Sequence, residues 1–269
     1  MSKDGSAGKS GRHETTLRAT ESAQCTVAKV AGLLYLIQMA TGVFGFYAHG
    51  RLTVAGDPIQ TAKNIVASER LFRIGTVSDL TTAVVVVVLA WALYVVLRPI
   101  NRNVALLAAF LRLAENSIAA SAIFTDFIAL RLLSDVSYLQ GFDAQQVLLL
   151  ARVFTGGQGA GLQIAFVFLG LGSALFSYLW LKSRYVPRAL AALGIFGSLV
   201  LTIGTLIIMV FPALGAVGLT YMMPLGIYEV GLGLWLLVKG IQAPSAHQGH
   251  ISSSHQGPGA HRPPSLPDN

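Results

Sequence analysis

Long apolar runs, separated by short polar connections, recur along almost the whole chain. A membrane crossing needs about 20 mostly apolar residues at 1.5 Å of rise each. Six runs meet that length: Val30–Ala48, Asp79–Leu97, Val104–Phe127, Gly161–Leu181, Leu190–Phe211 and Val217–Val238. The pattern predicts an all-α, polytopic bundle of six transmembrane helices, occupying residues 27–242. The third run, "VALLAAFLRLAENSIAASAIFTDF", is the least uniform, because it contains an arginine, a glutamate, an asparagine and an aspartate. The sixth is interrupted by Pro224 and Glu229, and a proline there predicts a kink.

The connections have patterns of their own. In "GDPIQTAKNIVASERLFR", Asp57 is the expected N-cap and Pro58 the first helical residue. Ile59, Ala62, Ile65 and Val66 follow at helical spacing, predicting a short amphipathic helix on the outer surface. "FDAQQVLLLARVF" repeats the device with Asp143 as cap and Gln146 three residues on. The "GGQGAG" after it reads as a flexible lead into the fourth crossing. The polar segments 1–26 and 243–269 read as disordered tails, the first basic and the second rich in Pro, Ser, Gly and His.

Composition narrows the class. The chain is 54% hydrophobic and 12% charged, where soluble domains carry about 25% charged residues. A formal charge of +7 would suit nucleic acid, but the basic residues sit in tails and loops, where they set membrane orientation. With the N-terminus inside, twelve Lys and Arg residues fall on the cytoplasmic side and six outside, leaving Arg112 within a span. Both termini are therefore expected in the cytoplasm. The single cysteine, Cys25, excludes an intramolecular disulfide framework.

The charged crossing carries the candidate chemistry. An ionisable side chain at a helix centre costs roughly 2.5–3.5 kcal/mol on insertion scales, so it persists facing partners rather than lipid. Arg112, Glu115, Asn116, Ala119 and Asp126 share one helical stripe, while Leu106, Phe110, Leu113, Phe124 and Ile128 lie on another face. By rise per residue, Arg112 lies about 12 Å, Glu115 about 17 Å, Glu229 about 14 Å and Gln38 about 12 Å from the cytoplasmic ends of their helices. The expectation is a shared polar layer of Gln38, Arg112, Glu115, Asn116 and Glu229. In it Arg112 pairs with Glu229 across the bundle or with Glu115 one turn away. One carboxylate is left without a cation, which suits a proton, a cation or a small molecule. A layer that only sets helix pairing fits the same residues.

Asp79 and Asp126 form a weaker pair. Asp79 reads as an N-cap where the second crossing begins, and Asp126 as a residue near the outer end of its helix. The two would meet at an outer vestibule, although solvated helix ends account for both. His49 reads as an isolated interfacial residue. His247, His250, His255 and His261 are irregularly spaced in a polar tail, so no metal site follows. No Walker A, His-Glu-x-x-His, G-x-S-x-G or CxxC pattern occurs, and no catalytic residue or cofactor is expected. Gly170 with Ala174, and Gly194 with Ser198, are small-residue pairs that allow close helix packing.

Five segments carry a resemblance. "KVAGLLYLIQMATGVFG", "ASERLFRIGTVSDL", "ALYVVLRPINRNVALL", "SYLWLKSRYVPRALAALG" and "MPLGIYEVGLGLWLLVKGIQ" together resemble the bacterial family called domain of unknown function 4386. The resemblance covers residues 27–242 and implies a six-helix protein of the bacterial cytoplasmic membrane. It implies no activity, and its shared positions include Ser78, Asp79, Arg98, Pro99, Asn101, Pro187, Arg188, Glu229 and Lys239. Arg112 and Glu115 fall in its variable third crossing, which leaves Glu229 as the leading single position.

Three functions fit. The first is a small transporter or ion- or proton-coupled element built on the polar layer. The second is a structural or regulatory membrane subunit; the third, and weakest, is an intramembrane enzyme acting on a lipid or quinone. The expected partners are the lipid bilayer and a membrane protein or second copy of the chain, not nucleic acid.

Overall fold

The computed structural model describes residues 5–54, 57–134, 144–217 and 220–241. Seven α-helices account for nearly all of them: α1 Gly5–Leu52, α2 Pro58–Ala67, α3 Glu69–Leu97, α4 Arg102–Ser134, α5 Ala144–Ser183, α6 Arg188–Val210 and α7 Met223–Lys239. Six are long and apolar enough to cross a membrane, over Ser22–Leu52, Glu69–Leu97, Arg102–Leu132, Gly159–Ser183, Arg188–Val210 and Thr220–Lys239. The short helix α2 is the exception.

Each crossing packs on the next one in the chain, and α7 returns to α1, so the six close into a ring. Short turns force the antiparallel neighbours. Between α3 and α4 only residues 98–101 intervene, and Asn101 Oδ1 caps α4 by accepting from Val104 N at 3.1 Å. Between α5 and α6, Arg184 takes a left-handed conformation with φ 59°, which ends α5 within one residue. Burial pushes the phenol of Tyr185 in this turn up, partly offset by a hydrogen bond with Gln24. The half of the bundle near these turns is filled by Trp180, Phe176, Leu93, Leu97 and Leu236, all nearly inaccessible. Phe110, Phe124, Trp91 and Phe196 face outward instead, as lipid-facing side chains do.

Closure between α1 and α7 depends on close backbone approach. A Cβ on Gly32 would lie 2.6 Å from Leu237 N and 2.7 Å from Gly233 O. Gly233 in turn meets the Tyr35 Cβ position at 3.0 Å. Gly170 meets Ser198 O and Thr202 in the same manner at the α5–α6 contact.

Several expectations are corrected. The second crossing starts ten residues earlier than hydropathy suggests, at Glu69. Glu69, Arg70 and Arg73 lower the hydropathy of that stretch, but Phe72, Gly75 and Thr76 continue the buried stripe of the apolar part. Asp79 is therefore mid-helix and caps nothing. Pro224 stands in the first turn of α7, where its missing N–H has no intrahelical partner to lose, so it starts a helix rather than kinking one. The last crossing is correspondingly preceded by 3₁₀ turns at Pro212–Val217 and Thr220–Met222.

The "GGQGAG" stretch is not a break: α5 runs unbroken through it from Ala144 to Ser183, so long helical segments on both sides carry the backbone hydrogen bonds across it. Its expected cap, Asp143, lies outside the described residues. Residues 5–26, expected as a disordered tail, continue α1. The tail from 243 onward lies outside the described residues.

The first connection folds as α2, with Asp57 Oδ1 accepting from Gln60 N at 2.9 Å. Its buried face, with Ala62 and Ile65, covers one end of the bundle, while Ile59 and Val66 stay exposed. Ile65 packs with Leu52, Phe72 and Leu130, and Asn64 Nδ2 donates to Leu52 O at 3.2 Å.

Gly32→Val is expected to lower stability by about 1–3 kcal/mol, the usual cost of overpacking, because backbone atoms obstruct the new side chain. Gly50→Ala, where nothing lies within 4 Å, is expected to be neutral or stabilising by up to about 1 kcal/mol. Thermal unfolding in detergent measures both; equal midpoints for the two variants would contradict the close approach.

Candidate functional site

Three helices bring polar side chains to one depth of the bundle. From α1 comes Gln38, from α4 Arg112, Glu115 and Asn116, and from α7 Glu229. Gln38 is 6% exposed, Arg112 4% and Glu229 6%. Gln38 Nε2 donates to Glu229 Oε2 at 3.0 Å, joining helices 191 residues apart in the chain. Arg112 Nη1 stands 3.4 Å from Glu115 Oε2 on its own helix. Of the two pairings open to Arg112, the contact ion pair is therefore with Glu115. Glu229 acts on the guanidinium across the bundle at longer range.

Room for the arginine comes from α5. A Cβ at Gly172 would lie 3.1 Å from Arg112 Cγ, so glycine there admits the arginine stem between the helices. The opposite face of α4 is apolar and exposed at Leu106, Phe110, Leu113 and Phe124, while Asn116 is buried behind Glu115.

Two tyrosines absent from the sequence-based candidates complete the layer. Tyr35, one turn before Gln38, and Tyr228, beside Glu229, are 4% and 1% exposed. Both interact electrostatically with Glu229 and Arg112. Their signal in the sequence was only adjacency, because tyrosine is as common in apolar cores. Ser177 approaches from α5; its Oγ and the Tyr228 ring both press on Gly194.

The layer has spare hydrogen-bonding capacity. Gln38 Oε1 is buried without a hydrogen-bond partner, and Tyr228 Oη and Ser177 Oγ are buried with only each other as a partner. Arg112 Nη1 and Glu115 Oε2 attract each other as charges but lack hydrogen-bond geometry. Native proteins leave few buried polar atoms in this condition.

Toward the α2 end a second group corrects the reading of His49, Asp79 and Asp126. His49 is not isolated: Nε2 lies 3.0 Å from Asp79 Oδ2 and 3.9 Å from Asp126 Oδ2. Nor is Asp126 a solvated helix end, since its side chain is 1% exposed. Both carboxylates approach the same imidazole nitrogen, Nε2. Hydropathy hid this because it placed His49 and Asp79 at helix ends, whereas α1 and α3 both extend past them. Among the described residues, no group of three or more His, Cys, Asp or Glu is arranged to hold a metal ion.

Six apolar crossings around buried ionisable groups define a multi-pass helical membrane protein. The family model described as "Domain of unknown function (DUF4386)" matches residues 30–240, and the chain belongs to that family. No curated protein and no solved structure matches it.

Arg112→Met leaves two buried carboxylates facing each other without a cation. It is expected to destabilise by about 3–5 kcal/mol, as removal of one buried ionic partner does. Arg112→Met combined with Glu115→Gln is expected to recover much of that loss. Detergent unfolding of the single and double variants is the measurement, and purely additive effects would contradict the pairing.

Proposed function

We propose that this protein is a small transporter, or an ion- or proton-coupled membrane element, whose working site is the buried layer around Glu229. One observation supports it above the others: Arg112 is the single basic side chain of the layer, against Glu115 and Glu229. With both carboxylates ionised, the layer carries one uncompensated negative charge in a medium that penalises it. A proton or a small cation restores neutrality, and the unpartnered oxygen of Gln38 provides further ligating capacity beside it.

Glu229 is the best placed group for binding and release. It belongs to α7, the shortest crossing, whose first turn contains Pro224 and follows two 3₁₀ turns. Gln38 holds one of its oxygens from α1. Movement of α7 against α1 would alter that hydrogen bond and the field of Arg112 together. Family resemblance and basic-residue placement support a bacterial cytoplasmic membrane with both termini inside.

A structural or regulatory subunit is the second reading. The Gln38–Glu229 bond between α1 and α7 favours it, since such bonds fix helix pairing in lipid. In that role the outward helical faces take a membrane-protein partner or a second copy. An enzyme acting on lipid or quinone is the weakest reading, with no nucleophile and base to assign.

Glu229→Gln separates the first two. Under the transport reading it keeps stability within about 1 kcal/mol, the scale of one neutral hydrogen bond, and removes ion or proton flux in proteoliposomes. Loss of stability without any wild-type flux under imposed ion, proton or voltage gradients would favour the structural role.

A further inference from the structure

The two ionisable groups repeat along the same pair of helices. On α1 the step from Gln38 to His49 is three turns, about 16 Å, and on α4 the step from Glu115 to Asp126 is the same. His49 is held firmly. Its Nε2 is hydrogen-bonded to Asp79 Oδ2 at 3.0 Å, and its ring packs edge-on against Phe72, centroids 5.1 Å apart at 89°. Gly75 leaves space for that ring, and Gly45 for the Asp79 carboxylate.

Between the two groups the α1–α3 seam is lined by hydroxyls. Thr41 Oγ1 and Thr82 Oγ1 are 2.7 Å apart, and either atom is able to donate. Thr41 Oγ1 also reaches Gln38 O at 3.3 Å, and Ser78 Oγ donates to Thr41 O at 2.9 Å. Hydroxyls paired across a membrane helix seam bond between helices, and these suit a polar track.

The chemistry of the group favours a proton over a metal. Its imidazole stands directly against both carboxylates, and no metal-holding arrangement occurs among the described residues. The charges acting on His49 are Asp79 from α3 and Asp126 from α4. Arg51 on α1, Lys63 on α2, Arg70 and Arg73 on α3 and Arg131 on α4 are basic residues at that end, and all are exposed.

We propose that His49, Asp79 and Asp126 form a proton-binding site that loads the pathway to Glu229, with the Thr41–Thr82 hydroxyl pair lying between them. This rests on the transport reading of the Glu229 layer. A proton arriving at His49 Nε2 forms an N–H bond, and passage to Asp79 Oδ2 breaks it and forms an O–H bond. Along the hydroxyls, each oxygen gains one O–H bond as it loses another, the last proton ends in an O–H bond on the Glu229 carboxylate, and no electron is transferred.

The test uses the full chain. Proton flux is followed with a trapped pH-sensitive dye in proteoliposomes under an imposed pH gradient, for wild type, His49→Gln, Thr82→Val and Glu229→Gln. Thermal unfolding of the same proteins in detergent is measured between about pH 5 and 8, where histidine changes charge. His49→Gln and Thr82→Val are expected to slow flux about 10²-fold, the lower range for a positioned proton-transfer group. Wild type and Glu229→Gln should share a pH-dependent unfolding midpoint that His49→Gln flattens. Glu229-dependent flux that stays at the wild-type rate in His49→Gln and Thr82→Val overturns this proposal and leaves the proposed function standing. No wild-type flux, with a His49-dependent unfolding profile, removes the pathway and therefore the loading role, while keeping the bound proton. Absence of both removes both proposals. Should His49→Gln not fold, the flux of Thr82→Val decides.

Discussion

Lipid does not solvate charge, and that constraint organises the bundle. Arg112 lies within a crossing, so it must be enclosed by protein and opposed by negative charge. Enclosure requires α5 to come close, which Gly172 allows, and requires α7 to present Glu229 from across the bundle. The α7 position in turn depends on the contact of Gly32 with Gly233, where the ring of helices closes. A guanidinium in α4 and three glycines elsewhere thus belong to one requirement.

The ring has two unequal halves. Near the short turns, Trp180, Phe176 and Leu97 fill the interior with apolar side chains. From the level of Arg112 toward α2, the interior becomes polar: first the Glu229 layer, then the Thr41–Thr82 pair, then His49 with its two aspartates. The apolar contact of Leu52, Ile65, Phe72 and Leu130 closes that end. A packed half and a polar half, separated by the charged layer, suit a protein that admits a small charged species partway.

Much of the architecture was legible from hydropathy, because apolar length is a direct requirement of a bilayer. The inward stripe of α4 was legible too: Arg112, Glu115, Asn116 and Asp126 recur at helical spacing, and the cost of exposing them to lipid fixes the side they face. Helix starts were less legible. Glu69 and Arg73 depress the hydropathy of a stretch that nonetheless belongs to α3, and this misassigned Asp79 as a cap. Pro224 suggested a kink because its missing N–H is costly mid-helix, but it is harmless in a first turn.

By itself, the sequence determined that the chain spans a membrane six times, since that follows from local composition and length. It also determined that charge must be hidden inside. Only the tertiary structure decided which charges meet, because a contact between residues 38 and 229, or among 49, 79 and 126, depends on helix rotation and depth to within one turn. Hydropathy does not resolve a single turn, whereas packing of glycines against backbone does.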